Sequence, residues 1–389
     1  MSNILAFGDS PKLASGYGVV NRNILYHLAK QGHTVHQIAW GQQTPTEKLG
    51  DVEFYIHPPW FRDPLSLNTV LYHLNLKDYN FDYLFTSNDF FVWRNLLPHL
   101  SKPITKVSYS IVDGPFCADS YKDIIENIDI PVVATNYALD QVKPINDKVL
   151  KIPHGVDTSK FFIKDIQSCK DKLNIGNRFV IGSVNRNNWR KNYPALIYAF
   201  SEVKKFIADA VLLLVCDPSD DGGIDIQRYA RLFDLDVSND INHVYDILIH
   251  PDYINFTQSL SANTLVDAYN AMDCFVTASM GEGFGLTTLE AMSCGVPIIA
   301  PNNSCFKEVI GEGGLLYDSA KYSNNSPALI HGTFKETSYF LEVPDPFELA
   351  NKIYYLSNID RTTISHAARE QAEKFDWKNI LKKWDYIFK

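Results

Sequence analysis

Residues 273–300 read DCFVTASMGEGFGLTTLEAMSCGVPIIA, and this stretch decides which class of fold the sequence predicts. It begins with an apolar run that suits a strand, passes through a glycine-rich loop, enters a helical pattern and ends in a second apolar run. A strand, a helix and a further strand in succession form the unit from which parallel sheets are built. Glycine lets backbone amides approach a ligand closely, and the loop glycines are Gly281, Gly283 and Gly285.

The same alternation of apolar runs and helical patterns continues along the chain in two series. The predicted strands of the first series are Ile4–Phe7, Thr34–Ala39, Tyr83–Thr86, Lys106–Ile111 and Pro131–Ala134. Those of the second series are Phe179–Val184, Val211–Cys216, Val244–Ile249, Cys274–Ala278, Pro297–Ala300 and Gly314–Tyr317. Parallel sheets of this kind bind ligands at the carboxyl ends of their strands. We therefore expect two doubly wound sheets that face each other across a ligand-binding cleft.

The length of the chain supports a division into two domains. It has 389 residues, whereas a single hydrophobic core stops growing at roughly 250–300 residues. Residues 151–161 interrupt the pattern with Pro153 and Gly155, which suits a connection between domains. We predict an α/β protein with Rossmann-like domains at residues 1–156 and 157–375.

The sequence also predicts the structure of two segments that lie outside the alternating pattern. Residues 318–343 are polar and contain a Ser-Asn-Asn-Ser-Pro cluster, which predicts an inserted loop. Residues 376–389 carry apolar side chains at helical spacing, which predicts an amphipathic helix. Its apolar stripe consists of Trp377, Ile380, Leu381, Trp384 and Ile387.

Composition excludes several classes of protein. The formal net charge is −9, whereas proteins that bind nucleic acid usually carry a basic surface, so nucleic acid is not expected as a partner. No apolar stretch approaches the roughly 20 residues that cross a bilayer, so any membrane contact is expected to be peripheral. No targeting pattern precedes the first apolar run, which predicts a cytoplasmic protein. The six cysteines lack metal-binding spacing and are expected to be buried free thiols.

The quoted stretch also carries a family signature. Glu282 and Glu290 are separated by seven residues, and an Ala-Met-x-x-Gly-x-Pro-Ile-Ile-Ala segment follows. This pattern resembles the retaining GT-B glycosyltransferases of sequence family four, the glycosyl transferases group 1. The resemblance implies that Glu290 binds the donor ribose and that Glu282 binds hydroxyls of the donor sugar. It also places near the sugar and phosphates the backbone amides of Gly283, Phe284, Gly285 and Leu286.

A basic segment follows the first strand of the second series. Arg186 and Lys191 match the paired basic residues that grip the donor diphosphate in the family, and Arg190 is an additional cation to which the sequence assigns no role. Fixed positive charge can stabilise a leaving diphosphate where no metal is present. We therefore expect no metal site, and we interpret the acidic stretch 217–221 as a surface loop. A helix that opens near Leu286 adds a dipole end suited to a diphosphate.

The resemblance is less complete in the first domain. Between the first strand and its helix lies Ser-Gly-Tyr-Gly, where the family places a glycine loop near the phosphates and acceptor, and Gly16 is the candidate. This form particularly resembles a branch of the family found in large DNA viruses and some microbes. Many members carry a histidine after the fourth strand, whereas this chain offers Asp113, which is equally consistent with capping a turn. His154 is interpreted as a structural residue of the connection.

The resemblance thus implies a retaining glycosyltransferase that acts by front-face attack, and the paired cations predict that it needs no metal. The resemblance implies an acceptor-side first domain, onto which the helix 376–389 packs back, and a donor-binding second domain. The donor is expected to be a UDP- or GDP-sugar, with no cofactor, and the acceptor a glycan, lipid or small molecule. Two alternatives remain open at this point: a nucleotide-sugar epimerase or hydrolase, and a non-catalytic nucleotide-sugar-binding protein. An oxidoreductase is disfavoured because no Gly-x-Gly-x-x-Gly follows the first strand.

Overall fold

The chain divides into two compact units. The first comprises Met1–Gly155, His331–Tyr339 and Trp377–Lys389, and the second comprises Val156–Ile330 and Phe340–Asp376. The computed structural model describes residues 1–42, 44–60, 62–76, 80–115, 118–220, 222–243, 245–252, 261–321, 323, 326–334 and 337–389.

The first unit is built on one sheet in the order β3-β4-β2-β1-β5-β6-β7-β8. Its strands are parallel except for the pairing of β3 with β4. The strands are β1 Asn3–Asp9, β2 Thr34–Trp40, β3 Glu47–Lys48, β4 Phe54–His57, β5 Tyr83–Ser87, β6 Thr105–Ser110, β7 Ile130–Val133 and β8 Leu150–Lys151. The helices between them are α1 Gly16–Lys30, α2 Leu67–Asn75, α3 Ala118–Ile125 and α4 Asn136–Val142.

The second unit contains a parallel sheet in the order β11-β12-β10-β9-β13-β14-β15. Its strands are β9 Val180–Val184, β10 Val211–Val215, β11 Val237–Ser238, β12 Ile247–Ile249, β13 Cys274–Val276, β14 Ile298–Pro301 and β15 Gly314–Tyr317. Its helices are α5 Ile166–Lys172, α6 Tyr193–Lys204, α7 Ile226–Arg231, α8 Ala262–Asn270, α9 Leu286–Ser293, α10 Phe306–Ile310, α11 Pro346–Ser357 and α12 Thr362–Lys374.

The central strands are buried along their whole length. β10 reads Val-Leu-Leu-Leu-Val with every residue buried, and β9 beside it is also buried throughout. A continuous apolar run is typical of a parallel strand that is covered by helices on both faces. The prediction of doubly wound parallel sheets is therefore confirmed.

Some boundaries differ from the sequence-based expectation. The strand expected at Val244–Ile249 begins at Ile247 in the structure, and Val244 lies outside the described residues. Several short edge strands, such as β3 and β8 with two residues each, were not predicted because two residues leave no periodic signal. The five described cysteines are free and buried, as expected, and Cys117 lies outside the described residues.

The prediction of an inserted loop at residues 318–343 is wrong. The structure places two strands there, β16 Leu329–Phe334 and β17 Thr337–Glu342, which form a separate two-stranded sheet. The polar cluster that suggested a loop precedes these strands. Each strand contains the β-branched and aromatic residues that favour extended structure.

The prediction of one helix at residues 376–389 is only partly correct. The segment consists of a single α-helical turn, α13 Trp377–Ile380, followed by a 3₁₀ helix, Leu381–Tyr386. Its Trp384 is completely buried inside the first unit. The Trp384 ring lies edge-on to Tyr109, with 4.8 Å between the ring centroids, and to Phe85, at 5.8 Å. Aromatic contacts of this kind stabilise beyond simple area burial.

The segment's first tryptophan explains a glycine in the connection between the domains. A Cβ atom on Gly155 would lie 2.5 Å from Cδ2 of Trp377, closer than non-bonded carbons approach. The side chain of Trp377 is itself buried. Gly155 is therefore required for the close approach of the indole ring, a reason that the sequence pattern alone did not reveal.

Candidate functional site

The glycine loop lies between β13 and α9 of the second unit. Gly285 caps α9 with φ of 82°, in the left-handed region that favours glycine, and Leu286 is the first helical residue. The loop backbone is fixed by the Ser304 hydroxyl, which accepts a hydrogen bond from the Glu282 amide at 3.1 Å. Phe284 is buried, and its ring lies 5.7 Å from that of Phe375. The loop is thus a packed, ordered structure at the amino end of a helix.

Glu282 lies within this loop and is almost completely buried. Lys191 Nζ donates a hydrogen bond to its Oε1, and Arg190 Nη1 lies 3.2 Å from its Oε2. Burial alone would raise the pKa of the carboxyl, but the charges of Lys191 and Arg190 outweigh it and lower the pKa to about 2. Glu282 is therefore an ionised carboxylate at neutral pH, held between two cations.

Glu290 lies in the body of α9 and has a different environment. The Tyr269 hydroxyl donates a hydrogen bond of 2.8 Å to its Oε2. Burial raises the pKa of Glu290 to about 7, and the hydrogen bond from Tyr269 opposes only part of the shift. The pKa values of the two glutamates of the sequence signature thus shift in opposite directions, because fixed cations outweigh burial at Glu282, whereas burial prevails at Glu290.

Arg186 follows β9 and pairs with a residue that follows the neighbouring strand β10. Its Nε and Nη2 atoms lie 2.9 and 3.0 Å from the two carboxylate oxygens of Asp220. Its side chain remains about half exposed, at 47%. The structure therefore brings Lys191 to Glu282 and Arg186 to Asp220. Asp221 lies outside the described residues.

Sequence reasoning missed the roles of Arg190 and Asp220. The signal for Asp220 was present in the predicted sheet, because loops that follow adjacent parallel strands lie side by side. No comparable signal existed for Arg190. Its partners, Gly281 and Glu282, are about 90 residues away in the chain and are determined by the pairing of β9 with β13.

The N-terminal candidates lie at the carboxyl ends of strands in the first unit. Gly16 is the first residue of α1, whose amino end is capped by the Ser15 hydroxyl. The hydroxyl of the next residue, Tyr17, donates a hydrogen bond of 2.8 Å to Asp89. The pKa of Tyr17 is raised well above its ordinary value, first by burial and then by the charges of Asp89 and Asp113. Asp113 therefore lies near Tyr17 and Asp89, neither of which the sequence analysis singled out.

His154 has the environment of a structural residue. It is buried, and its Nδ1 atom lies 2.6 Å from the Tyr109 hydroxyl, which also donates to the Ile152 carbonyl at 2.8 Å. Burial lowers the pKa of His154 to about 3, so the imidazole is neutral at physiological pH. This agrees with its interpretation as part of the connection.

The described residues contain neither a cluster of metal-binding side chains nor a membrane-spanning helix. No group of three or more His, Cys, Asp or Glu side chains in those ranges could hold a metal ion. Among the helices that the structure describes, none is long and apolar enough to cross a bilayer.

Comparison with known proteins identifies the second unit's relatives. Residues 165–331 match the family glycosyl transferases group 1. The serotype-specific mannosyltransferase WbdA of Escherichia coli is 31% identical over 172 residues, which are 43% of this chain and 19% of WbdA. The chain thus spans about a fifth of the length of the first curated relatives it matches.

Solved structures match the chain along its whole length. Sucrose-phosphate synthase from Thermosynechococcus elongatus has a TM-score of 0.74 at 18% identity, covering 100% of this chain and 98% of that one. Anabaena HepE, solved in complex with UDP-glucose, has a TM-score of 0.69 at 15% identity, covering 100% and 99%. These likenesses show that the fold is GT-B.

Proposed function

We propose that this chain, whose residues 165–331 belong to the glycosyl transferases group 1, is a retaining glycosyltransferase. It transfers a sugar from a UDP- or GDP-sugar to an acceptor hydroxyl, without a metal or other cofactor. One observation carries the proposal: the loops that follow the adjacent strands β9 and β13 bring Lys191, Arg190 and Glu282 together beside the amino end of α9.

The donor diphosphate fits the basic side of this site. Arg186 and Lys191 supply fixed charges, and the first amides of α9 supply the positive end of a helix dipole. Preorganised charge of this kind stabilises negative charge as it develops on the leaving group, at no cost in reorganisation. The leaving diphosphate oxygen then accepts the proton of the acceptor hydroxyl. No general base of shifted pKa is required in this front-face mechanism.

The two glutamates suit the two ends of a nucleotide sugar. Glu282 is ionised and can accept hydrogen bonds from sugar hydroxyls, and charge-assisted bonds are shorter and stronger than neutral ones. Glu290 lies further along α9 and suits the ribose hydroxyls. Four backbone amides lie between the two glutamates in the sequence and are proposed to contact the sugar and phosphates: those of Gly283, Phe284, Gly285 and Leu286. UDP-glucose, named in the HepE structure, is one donor to test, and a GDP-hexose is another.

The proposal is less specific about the acceptor than about the donor. Asp113 is proposed to take the place of the family's histidine, because it follows β6 and lies close to Tyr17 and to the start of α1, where Gly16 is found. The acceptor is a glycan, a lipid or a small molecule that offers a hydroxyl group. Replacing Asp113 by Asn should lower kcat while leaving the affinity for the donor unchanged, since all of the proposed donor contacts except Gly16 belong to the second unit.

A thermal-shift screen over UDP- and GDP-sugars tests donor binding. A ligand at 100 times its dissociation constant adds roughly 2.7 kcal/mol to the free energy of unfolding. We expect one nucleotide sugar to stabilise the wild-type chain in this way, and the Arg186→Ala variant to require a higher concentration for the same shift. If no UDP- or GDP-sugar stabilises the protein, the proposal is wrong.

Product analysis then separates transfer from the alternatives. With donor alone, a transferase releases free sugar slowly, and sugar transfer appears only when an acceptor mixture is added. Free sugar or an epimer formed at the full rate without acceptor indicates a hydrolase or an epimerase. Donor binding with no turnover under either condition indicates a non-catalytic binding protein.

A further inference from the structure

Arg190 links the two loops of the donor site through both its backbone and its side chain. Its carbonyl oxygen accepts a hydrogen bond from the Met280 amide at 3.0 Å and lies 3.5 Å from the Ser279 hydroxyl, which donates to the Gly281 carbonyl at 3.0 Å. Its guanidinium Nη1 donates to the Gly281 carbonyl and lies 3.2 Å from Glu282 Oε2. One residue of the β9 loop thus contacts four consecutive residues of the β13 loop.

The local structure around Arg190 fixes its position. It is the middle residue of a 3₁₀ turn, Trp189–Lys191, whose amino end is capped by the Asn188 side chain. The turn ends at Asn192, which has φ of 53° in the left-handed region. The Arg190 side chain is only 21% exposed, whereas its neighbour Trp189 is about half exposed, at 47%. The guanidinium is therefore directed at the β13 loop rather than at solvent.

We infer that Arg190 is a positioning residue, which holds the glycine loop and the Glu282 carboxylate in the arrangement that receives the donor sugar. This inference rests on the proposed function, because it assumes that Glu282 contacts the donor. Arg190 itself does not need to contact the substrate.

The chemistry of arginine explains why this position needs it. A guanidinium offers several N–H donors in a rigid plane and can serve a carbonyl and a carboxylate together, whereas a lysine ammonium is a single point charge on a flexible stem. Arg190 also supplies one of two positive charges beside Glu282. Together with Lys191 it keeps the pKa of Glu282 low enough for the carboxylate to stay ionised in mildly acidic solution.

Two variants and one matched control test this role. Arg190→Gln removes the charge and the guanidinium, whereas Arg190→Lys keeps only the charge. Arg178→Gln is the control, since Arg178 also donates to backbone carbonyls, those of Ile175 at 3.0 Å and Tyr245 at 3.3 Å. Arg178 precedes β9 and so lies at the end of the strand away from the glycine loop.

The functional measurement is the affinity for UDP-glucose or GDP-mannose, whichever stabilises the wild-type chain more, as a function of pH. Arg190→Gln should weaken donor binding by about ten- to a hundredfold, the equivalent of one charged hydrogen bond. In the same variant the loss of donor affinity on acidification should begin at a higher pH. Glu282 loses a neighbouring cation, so its pKa rises and its carboxylate is protonated more readily. Arg190→Lys keeps the charge, so its pH dependence should match that of the wild type, while its donor affinity should be only partly restored. Arg178→Gln should match the wild type in both pH dependence and affinity.

A second measurement does not depend on the donor. Amide hydrogen exchange in residues 280–286 of the ligand-free protein should accelerate about tenfold in Arg190→Gln, but not in Arg178→Gln. Unchanged exchange in this segment overturns the inference. An equal loss of affinity in Arg190→Gln and Arg178→Gln also overturns it, since that indicates general destabilisation. If exchange responds as expected but no nucleotide sugar binds the wild type, the proposed function fails and the positioning role stands.

Discussion

The guanidinium of Arg186 and the carboxylate of Asp220 form a two-pronged ion pair, with Nε and Nη2 lying 2.9 and 3.0 Å from the two carboxylate oxygens. Arg186 is also the residue proposed to bind the donor diphosphate. Its positive charge is thus partly neutralised in the ligand-free protein. The Arg186 side chain is 47% exposed and that of Asp220 only 8%, so solvent screens the pair from the arginine side. We expect its main effect to be on the electrostatic potential that a diphosphate meets.

Replacing Asp220 by Asn should therefore tighten the binding of UDP or GDP. The variant keeps a hydrogen-bonding side chain but removes the negative charge, and an exposed charge interaction of about 0.5–1 kcal/mol corresponds to a two- to fivefold gain in affinity. Titration calorimetry at low ionic strength is the measurement. Asp217→Asn, in the same loop, is the control and should leave the affinity unchanged. Weaker binding by Asp220→Asn would mean that the carboxylate serves to orient Arg186.

Donor binding and turnover should survive the removal of divalent cations. Arg186 and Lys191 provide the fixed charge that a metal would otherwise supply to the diphosphate. The rate of sugar transfer should be the same before and after incubation with excess EDTA. Complete loss of activity with EDTA, restored by Mg²⁺ or Mn²⁺, would contradict this prediction and direct attention to the acidic loop 217–221.

Replacing Glu290 by Gln should change how stability depends on pH. The folded-state pKa of Glu290 is about 7, above its ordinary value of 4.5. The stability contributed by its bound proton is complete below pH 4.5 and is lost as the pH rises through 7. At pH 8 the neutral Gln should make the ligand-free protein more stable than wild type by on the order of 1–3 kcal/mol. Urea unfolding between pH 5 and pH 8 measures the difference, with Glu373→Gln as an exposed control. Equal stability curves for the Glu290→Gln variant and wild type would refute the raised pKa of this carboxyl.

Glu290 should also govern affinity for the nucleotide-sugar donor. Glu290→Ala removes an acceptor proposed to bind the ribose hydroxyls. At pH 8, above the Glu290 pKa of about 7, this acceptor is ionised, and such bonds contribute roughly 1.5–3 kcal/mol. Affinity for the nucleotide sugar should fall by about ten- to a hundredfold. Calorimetry on folded variant protein measures this, and unchanged affinity would remove the assigned role from Glu290.

Removing the indole of Trp384 should destabilise the first unit. Trp384 is completely buried against Tyr109 and Phe85, and replacing a large buried aromatic residue by Ala costs about 3–5 kcal/mol. Tyr386→Ala is the control, since Tyr386 is 80% exposed and its loss should cost less than about 0.5 kcal/mol. Urea unfolding without lipid is the measurement. If Trp384→Ala unfolds like the wild type and loses only binding to liposomes, the segment is a membrane anchor.

Local sequence patterns were sufficient to predict the parallel sheets and the position of the glycine loop. Strand β10 is a continuous apolar run, and the loop before α9 requires Gly285 at a positive φ. Both features depend on neighbouring residues in the chain. Segment 318–343 was assigned wrongly because its polar cluster and its strand-forming residues gave conflicting local signals, and sheet pairing decided between them.

The electrostatics of the site were decided by tertiary structure alone. Glu282 and Glu290 are the same residue type, with only seven residues between them in the signature, yet the pKa of the first is about 2 and that of the second about 7. The difference arises because Lys191 and Arg190, which follow β9, outweigh the effect of burial on the first, whereas the hydrogen bond from Tyr269 on α8 opposes only part of that effect on the second. A pKa depends on the distance to charges and on burial in three dimensions, and neither quantity exists until the strands have paired and the helices have packed.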